Sequence, residues 1–368
     1  MTEKLTMEEV SVGATHSATF WANPVGESKF RFRATHLNGK RAPKVVLSDD
    51  PRIRPGVPAM VRITAVRKPN RNDRGAIEVE FVQQLEFQLE GVYLDPLISK
   101  KLQIALESGL NILLDGPQGC GKTVLARAIA EQLGMRFVFF NCGAVIEASD
   151  FLATIQISAS PSGQPMTDFV QTELLTALKD AQADPRLSVL VFLDEFNRCP
   201  ENARNVLMPA LDSSRRLFNP LTNQFLVIPD NVQFIAAVNR GSQFSGTFGI
   251  DAAQLDRFAP LQMDYLPPDE EVKLLSRKHP ELSGGLILDV VEIAHLIRCS
   301  PDLQAGLSVR ATDEACVFLK HPLFDGNQRF HLRDVLQSSF CGRFTGKWND
   351  QHSEAGIVWG IITTKLPG

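Results

Sequence analysis

Gly116-Pro117-Gln118-Gly119-Cys120-Gly121-Lys122-Thr123 fits the pattern G-x-x-x-x-G-K-[ST] and predicts the fold of this chain. Phosphate oxygens need hydrogen-bond donors from several directions at short range. Glycines let backbone N–H groups approach without a Cβ clash, and the helix that follows such a loop presents its positive N-terminal end. The stretch therefore predicts a nucleoside triphosphate site, in which Lys122 contacts the β- and γ-phosphates and Thr123 holds Mg²⁺.

The segments on either side of this loop support that prediction. Residues 111–115 form a short apolar run typical of a buried strand, and apolar residues recur at helical spacing from Val124 to Leu133. Gly134 then supplies a C-terminal cap for the predicted helix. Strand, loop and helix thus follow in the order that a phosphate-binding loop requires.

The composition of the chain is that of an ordinary globular protein. Its 368 residues are 44% hydrophobic and 22% charged, which predicts about two or three domains. Since no apolar run approaches the roughly 18 residues that span a bilayer, we expect no membrane insertion and a cytoplasmic location. The cysteines are scattered without a C-x-x-C pair, so we expect neither a structural zinc site nor a disulfide framework.

The pattern of apolar residues changes twice along the chain. Residues 1–92 contain short alternating runs separated by turn residues, which predict a small, barrel-like all-β domain. Residues 93–262 alternate strand and helix patterns and predict an α/β core with a parallel sheet. Residues 263–368 form the third predicted domain, a helical one, with helices over 270–278, 286–297 and 311–318 and another after Leu332.

Polar side chains follow two further apolar runs of the predicted core. Residues 187–193 read as a strand buried on both faces, and Asp194 and Glu195 come directly after it. At the carboxyl end of such a strand, Asp194 would help to position Mg²⁺ and Glu195 would polarise the attacking water. The apolar run 232–238 ends in Asn239, where an amide could touch the γ-phosphate or the water.

These residues resemble the AAA+ ATPases, and within them the MoxR and dynein-related branch, from about residue 93 to about 315. Leu193-Asp-Glu-Phe-Asn-Arg198 resembles that branch's L-D-E-I-N-R signature. Residues 216–227 resemble its hairpin before the sensor strand, and residues 151–167 its insertion in an earlier helix. The resemblance implies a parallel-sheet nucleotide-binding core with a helical C-terminal lid. Phe196 stands where Ile is usual, and the N-terminal β domain lies outside the pattern.

The resemblance also implies roles for three polar residues and a mode of action. Asn239 resembles sensor 1, Arg257 in Leu255-Asp-Arg-Phe258 the arginine finger that acts in trans, and Arg310 the sensor 2 arginine. Such proteins use ATP and Mg²⁺ and act as homo-oligomeric rings, usually hexamers. They remodel or assemble a protein client in a chaperone-like way, often with a von Willebrand A domain partner.

Two other functions stay open at this point. Residues 28–74 carry thirteen Lys and Arg against three Asp, so a nucleic-acid-associated AAA+ motor of the McrB type could bind DNA or RNA through the N-terminal domain. Alternation in Phe30-Arg-Phe-Arg33, however, separates aromatic from basic side chains, as in a core and a surface. A nucleotide switch or small-molecule kinase also uses a phosphate loop, but the four polar residues Glu195, Asn239, Arg257 and Arg310 speak against it. ATP is the default nucleotide, with GTP as the alternative.

Overall fold

The computed structural model describes most of the chain, and two compact units emerge from its internal contacts. The first unit comprises Met1–Leu114, Thr123–Val238 and Thr247–Leu261, and the second comprises Asp115–Lys122, Asn239–Gly246 and Gln262–Gly368. The structure describes residues 10–22, 32–37, 40–53, 58–67, 76–84, 89, 91–159, 165–185, 187–219, 222–239, 248–304, 306–322 and 328–367.

The N-terminal part of the first unit is a mixed β-sheet. Its described strands are β1 (Thr15–Thr19), β2 (Trp21–Ala22), β3 (Phe32–Leu37), β4 (Lys40–Ser48), β5 (Pro58–Val66) and β6 (Ala76–Gln84). They run in the order β1-β5-β6-β4-β3-β2, in which β4 and β6 are parallel and the other pairs antiparallel. Fully buried apolar residues of this region, among them Phe20, Val46 and Ile77, form its core. The all-β prediction is confirmed, whereas closure into a barrel stays a prediction.

On β3, the predicted separation of aromatic side chains in the core from basic side chains on the surface holds for Phe32 but is wrong for Arg33. Phe32 packs against the core as expected, but Arg33 is buried as well and does not lie on the surface. Phe30 and Arg31 lie outside the described residues. Alternation assigns residues to the two faces of a strand, but it does not tell whether the second face is covered as well.

The strands of the α/β core are β7 (Ile112–Gly116), β8 (Arg136–Asn141), β11 (Val189–Asp194), β14 (Val232–Asn239) and β15 (Ala259–Gln262). Two antiparallel hairpins consist of β9 (Ala153–Ala159) with β10 (Pro165–Gln171) and β12 (Arg216–Asn219) with β13 (Gln224–Val227). The described core strands run in the order β15-β7-β14-β11-β8, and β11 pairs in parallel with both β14 and β8. Every residue of β7 and β14 is buried, and so are all residues of β11 except its last, which agrees with strands covered on both faces.

Local sequence explains where the first two helices of this region begin and end. Asp95 accepts hydrogen bonds from the N–H groups of Leu97 and Ile98 and so caps the first helix. Gly109 and Gly134, each with positive φ, follow the first and the second helix, as C-terminal caps require. The helices of the region are α1 (Pro96–Glu107), α2 (Lys122–Gln132), α3 (Glu173–Ala183), α4 (Glu201–Arg204), α5 (Met208–Leu211) and α6 (Ala252–Leu255).

The second unit is largely helical after residue 262. The three helices predicted over 270–278, 286–297 and 311–318 are present, and the helix predicted after Leu332 is present as Glu354–Lys365. The helix Gln328–Leu336 was not predicted. Among the described helices, none is both long and apolar enough to cross a membrane. The helices are α7 (Pro268–Lys278), α8 (Gly284–Arg298), α9 (Val309–Leu319), α10 (Gln328–Leu336) and α11 (Glu354–Lys365), with a π-helical turn over Gln337–Cys341.

A buried ion pair joins three of these helices. The Glu271 carboxylate is fully buried and accepts hydrogen bonds from Arg298 Nη1 at 2.5 Å and from Thr312 Oγ1 at 2.6 Å. Glu271→Ala leaves the Arg298 guanidinium, only 5% exposed, without its counter-charge. We expect a loss of about 3–5 kcal/mol in the free energy of unfolding, measured by chemical denaturation.

The surface pair Glu270–Lys273, on the same helix, is the matched control. Glu270→Ala should cost under about 1 kcal/mol, because an exposed pair is screened by water. Equal losses for the two variants would contradict the structural role of Glu271.

Candidate functional site

The phosphate-loop stretch Gly116–Thr123 connects β7 to α2 in the conformation that its glycines permit. Gly119 and Gly121 have φ values of 78° and 98°, which residues with a Cβ rarely adopt. Lys122 begins α2 and is buried, and its Nζ donates to the carbonyl oxygens of Gly116 at 2.8 Å and Pro117 at 2.9 Å. The loop thus curls around the ammonium group, close to where phosphates would bind.

Two of the glycines also allow close packing inside the second unit. A Cβ on Gly119 would lie 2.5 Å from the Cβ of Ser308, and one on Gly116 would lie 2.5 Å from the Met263 carbonyl oxygen. Ser308 is the N-cap of α9, so the start of that helix lies beside the loop. Arg310, the predicted sensor 2 residue, is exposed in the first turn of the same helix. The structure therefore places the loop and the Arg310 turn near each other.

A cavity of about 1130 Å³ lies next to the loop within the second unit. Pro117 and Gln118 line it together with Tyr265 and Arg298, whose guanidinium lies 4.8 Å from the Tyr265 ring centroid. Burial raises the pKa of Tyr265 to about 12, so the phenol stays protonated at neutral pH. Lys122 does not line this cavity, which therefore adjoins the phosphate cradle without being part of it. No local sequence pattern predicts this cavity, because its lining comes from segments that are far apart in the chain.

Strand β11 ends at Asp194, as predicted, and Glu195 follows it directly. Asp194 is half-buried, and its Oδ1 accepts a hydrogen bond from the Glu195 N–H at 3.0 Å. Glu195 has φ 52° and ψ 39°, a left-handed conformation that is uncommon for residues other than glycine. Its Oε2 lies 3.4 Å from Arg198 Nη1. A strained residue at the end of a buried strand is typical of a functional site.

The structure adds Asn141 and Gly143 to this site, and neither was predicted from the sequence. Asn141 is the register partner of Asp194 on the neighbouring strand β8, and its Oδ1 accepts from the Gly143 N–H at 2.9 Å. A Cβ on Gly143 would lie 2.8 Å from Glu195 Oε2. The signal was present, since Asn141 ends the apolar run 137–140 just as Asn239 ends its own run.

Gly143→Ala should displace the Glu195 carboxylate without unfolding the protein. The added methyl meets the free end of a flexible side chain, so we expect a stability cost under about 1 kcal/mol. If Glu195 polarises the attacking water, as predicted from the sequence, nucleotide turnover should fall roughly 10-fold, because the carboxylate is displaced. Phosphate release and thermal unfolding measure the two effects.

Gly285→Ala is the control, since a Cβ there meets nothing within 4 Å. Gly285→Ala should change neither the rate of phosphate release nor the thermal unfolding. Unchanged turnover in Gly143→Ala would show that the observed position of Glu195 does not matter.

The remaining predicted residues lie at the ends of their elements. Asn239 is the last residue of β14 and is buried, and Thr123 lies in the first turn of α2. Arg257 follows α6, donates to the Ala253 carbonyl oxygen, and approaches Asp212 Oδ2 at 3.9 Å. With 28% of its side chain exposed, Arg257 is not enclosed within the first unit.

Comparison with known proteins places this site in a family. Residues 111–258 match the AAA domain of the dynein-related subfamily. The chain therefore contains an AAA domain. The matched residues run from Asn111, directly before β7, to Phe258, directly after Arg257.

The chain is also similar to individual proteins, over regions longer than this domain. An uncharacterized protein of Staphylococcus saprophyticus is 27% identical over 210 residues, which cover 57% of this chain and 74% of that protein. An uncharacterized protein of Staphylococcus aureus is 29% identical over 194 residues, covering 53% of this chain and 68% of that protein. A RuvB variant of Thermotoga maritima aligns with a TM-score of 0.45 at 16% identity, over 68% of this chain and 71% of that one.

Proposed function

We propose that the AAA+ domain binds ATP with Mg²⁺ and hydrolyses it. The phosphate loop carries this proposal, because positive φ at Gly119 and Gly121 and the buried Lys122 ammonium form a cradle for anionic oxygens. Thr123 and Asp194 supply the hydroxyl and carboxylate oxygens that Mg²⁺ prefers. The metal ion, when bound, neutralises charge on the β- and γ-phosphates.

Three polar residues of the subunit that binds the nucleotide would carry the hydrolytic step, namely Glu195, Asn239 and Arg310. Glu195 accepts a proton from the attacking water and aims it, with its carboxylate held by Arg198. Asn239 orients the water or the γ-phosphate from the end of β14. Arg310, in the helix turn beside the phosphate loop, senses the bound nucleotide and couples it to movement of the helical lid over 263–368.

We propose that the chain works as a ring, hexameric by resemblance, in which Arg257 completes the site of the neighbouring subunit. The partial exposure of the Arg257 side chain supports this role, because a residue buried in its own subunit could not reach another. A cation supplied in trans stabilises charge that develops on the γ-phosphoryl group. Hydrolysis would then require assembly.

The ring would use the free energy of ATP hydrolysis to remodel or assemble a protein client, as a MoxR-like protein with a von Willebrand A domain partner. Exposed aromatic residues on the β12–β13 hairpin support a protein client. Phe218 and Phe225 are cross-strand partners with ring centroids 5.3 Å apart, and the Phe225 side chain is largely exposed. Apolar side chains displayed this way are typical of surfaces that bind protein segments.

The alternative, a McrB-like motor that binds nucleic acid through the N-terminal domain, receives less support. Three of its described arginines form ion pairs, Arg52 with Asp50, Arg62 with Glu80 and Arg67 with Glu78. Binding of labelled DNA and RNA to the full chain, titrated with salt, separates the two functions. Appreciable affinity that falls steeply with salt would favour the motor.

Phosphate release at increasing protein concentration, with particle mass measured in parallel, tests the proposed function. We expect Mg²⁺-dependent ATP turnover per chain to rise as rings replace single chains. Competition with GTP defines the preferred nucleotide. Full turnover from particles with the mass of one chain would contradict the ring, and no turnover in any assembled state would contradict the ATPase.

A further inference from the structure

Arg204 is a fully buried arginine in the first unit with an unusual set of contacts. It lies at the end of α4, ten residues after Asp194, and its side chain has no exposed surface. Nη2 donates to the Gly249 carbonyl oxygen at 2.6 Å, whereas Nε and Nη1 have no hydrogen-bond partner among the described residues. Burial lowers the pKa of the guanidinium from its ordinary value.

Stability does not explain a charged residue at this position. A buried guanidinium with one hydrogen bond has lost the water contacts of its other N–H groups, and that loss costs free energy. An apolar side chain of similar volume is often as stable or more stable in such a place. Among the described residues, the guanidinium makes its hydrogen bond to Gly249, and a hydrophobic residue could not replace that bond.

That contact is made to the segment that carries the proposed arginine finger. Gly249 lies eight residues before Arg257, and the intervening Asp251 caps α6 through the Gln254 N–H at 2.6 Å. Gln254 is also buried, and its Nε2 donates to Asn205 Oδ1 at 3.0 Å. Two successive residues, Arg204 and Asn205, thus hold the segment 249–257 by side-chain hydrogen bonds.

The same guanidinium also contacts Phe196, the first residue of the turn that follows Glu195. Arg204 lies over the Phe196 ring at 5.7 Å from its centroid, and Phe196 makes an edge contact at 5.7 Å with Phe258, the residue after Arg257. The Phe248 N–H also donates to the Asn197 carbonyl oxygen at 2.7 Å. The Glu195 turn and the Arg257 segment are therefore packed around Arg204.

We propose that Arg204 is a positioning residue that holds Arg257 in place for the nucleotide site of the neighbouring subunit. This inference rests on the proposed function, since it requires a ring with a finger acting in trans. Arg204 donates its hydrogen bond to Gly249, in the segment that carries Arg257, whereas near Glu195 it contacts the face of the Phe196 ring. Loss of Arg204 should therefore displace the Arg257 that a subunit donates to its neighbour and leave that subunit's own nucleotide site competent.

Mixing experiments with full-length chains test this assignment. Arg204→Met keeps the volume and the apolar contacts but removes the bond to Gly249, so by itself it should turn over ATP about 10²-fold more slowly with unchanged thermal unfolding. Mixed with Lys122→Ala, whose own site is dead but whose Arg257 is intact, it should regain about a quarter of wild-type turnover, since random mixing pairs a competent site with a competent finger once in four. Mixed with Arg257→Ala, it should regain none.

Each other outcome overturns the assignment. Recovery with Arg257→Ala but not with Lys122→Ala would place the defect in the subunit's own site, near Glu195. Recovery with neither, or wild-type turnover of Arg204→Met alone, would show that Arg204 does not position the finger. Lys122→Ala mixed with Arg257→Ala contains intact Arg204 throughout, so failure of that pair would reject the shared site itself. Arg204→Lys, which can still reach Gly249 with one donor, should retain more turnover than Arg204→Met.

Discussion

Glu195→Gln is expected to lower ATP turnover by about 10²–10⁴-fold while ATP binding is retained. The amide is nearly the same size as the carboxylate, so packing against Gly143 and the left-handed backbone of residue 195 should be preserved. An amide cannot accept the proton that leaves the attacking water. Single-turnover phosphate release measures the loss, and binding of a fluorescent ATP analogue measures the retained affinity.

Glu201→Gln provides the matched control, because Glu201 is an exposed acid in the first turn of α4, six residues further along. Its turnover should equal that of the wild type. The Glu195→Gln protein should also hold its client in the ATP state, and copurification would then identify that client. Unchanged turnover in Glu195→Gln would remove Glu195 from the mechanism.

Arg257→Ala is expected to lower turnover by about 10³–10⁵-fold, the range measured for arginine fingers supplied in trans. The Arg257 guanidinium makes a hydrogen bond within its own α6 turn and a distant ion pair with Asp212, so its loss should cost the fold little. Particle mass in the presence of ATP should show that rings still form. Arg277→Ala, which removes an exposed arginine from α7, should leave turnover unchanged.

An Arg257→Ala protein that hydrolyses ATP at the wild-type rate would contradict the role of this residue. Failure to assemble would assign Arg257 to the subunit interface instead of to the reaction. Measuring mass and turnover on the same samples separates these two results.

Strand ends and the phosphate loop were predictable from sequence because each depends on local patterns. An apolar run followed by a polar residue identifies both Asp194 and Asn239, and the glycine spacing identifies the loop around Lys122. These signals are short, and tertiary packing does not change them. The structure accordingly has β11 and β14 ending at the expected residues.

Other features depend on contacts between distant segments, which a single sequence does not contain. The approach of Gly143 to Glu195 follows from the pairing of β8 with β11, two strands that are far apart in the sequence. Arg204 and Arg33 are buried although arginines are usually exposed, so composition predicts the opposite of what is observed.

The central claim is that one nucleotide site is shared by two copies of the chain. Lys122→Ala and Arg257→Ala should each be inactive alone, the first because its phosphate loop lacks the ammonium group and the second because it donates no finger. Mixed in equal amounts under assembling conditions, they should recover about a quarter of wild-type turnover, because one site in four then combines an intact loop with an intact Arg257. A mixture that forms mixed rings and stays as inactive as its components would contradict the account.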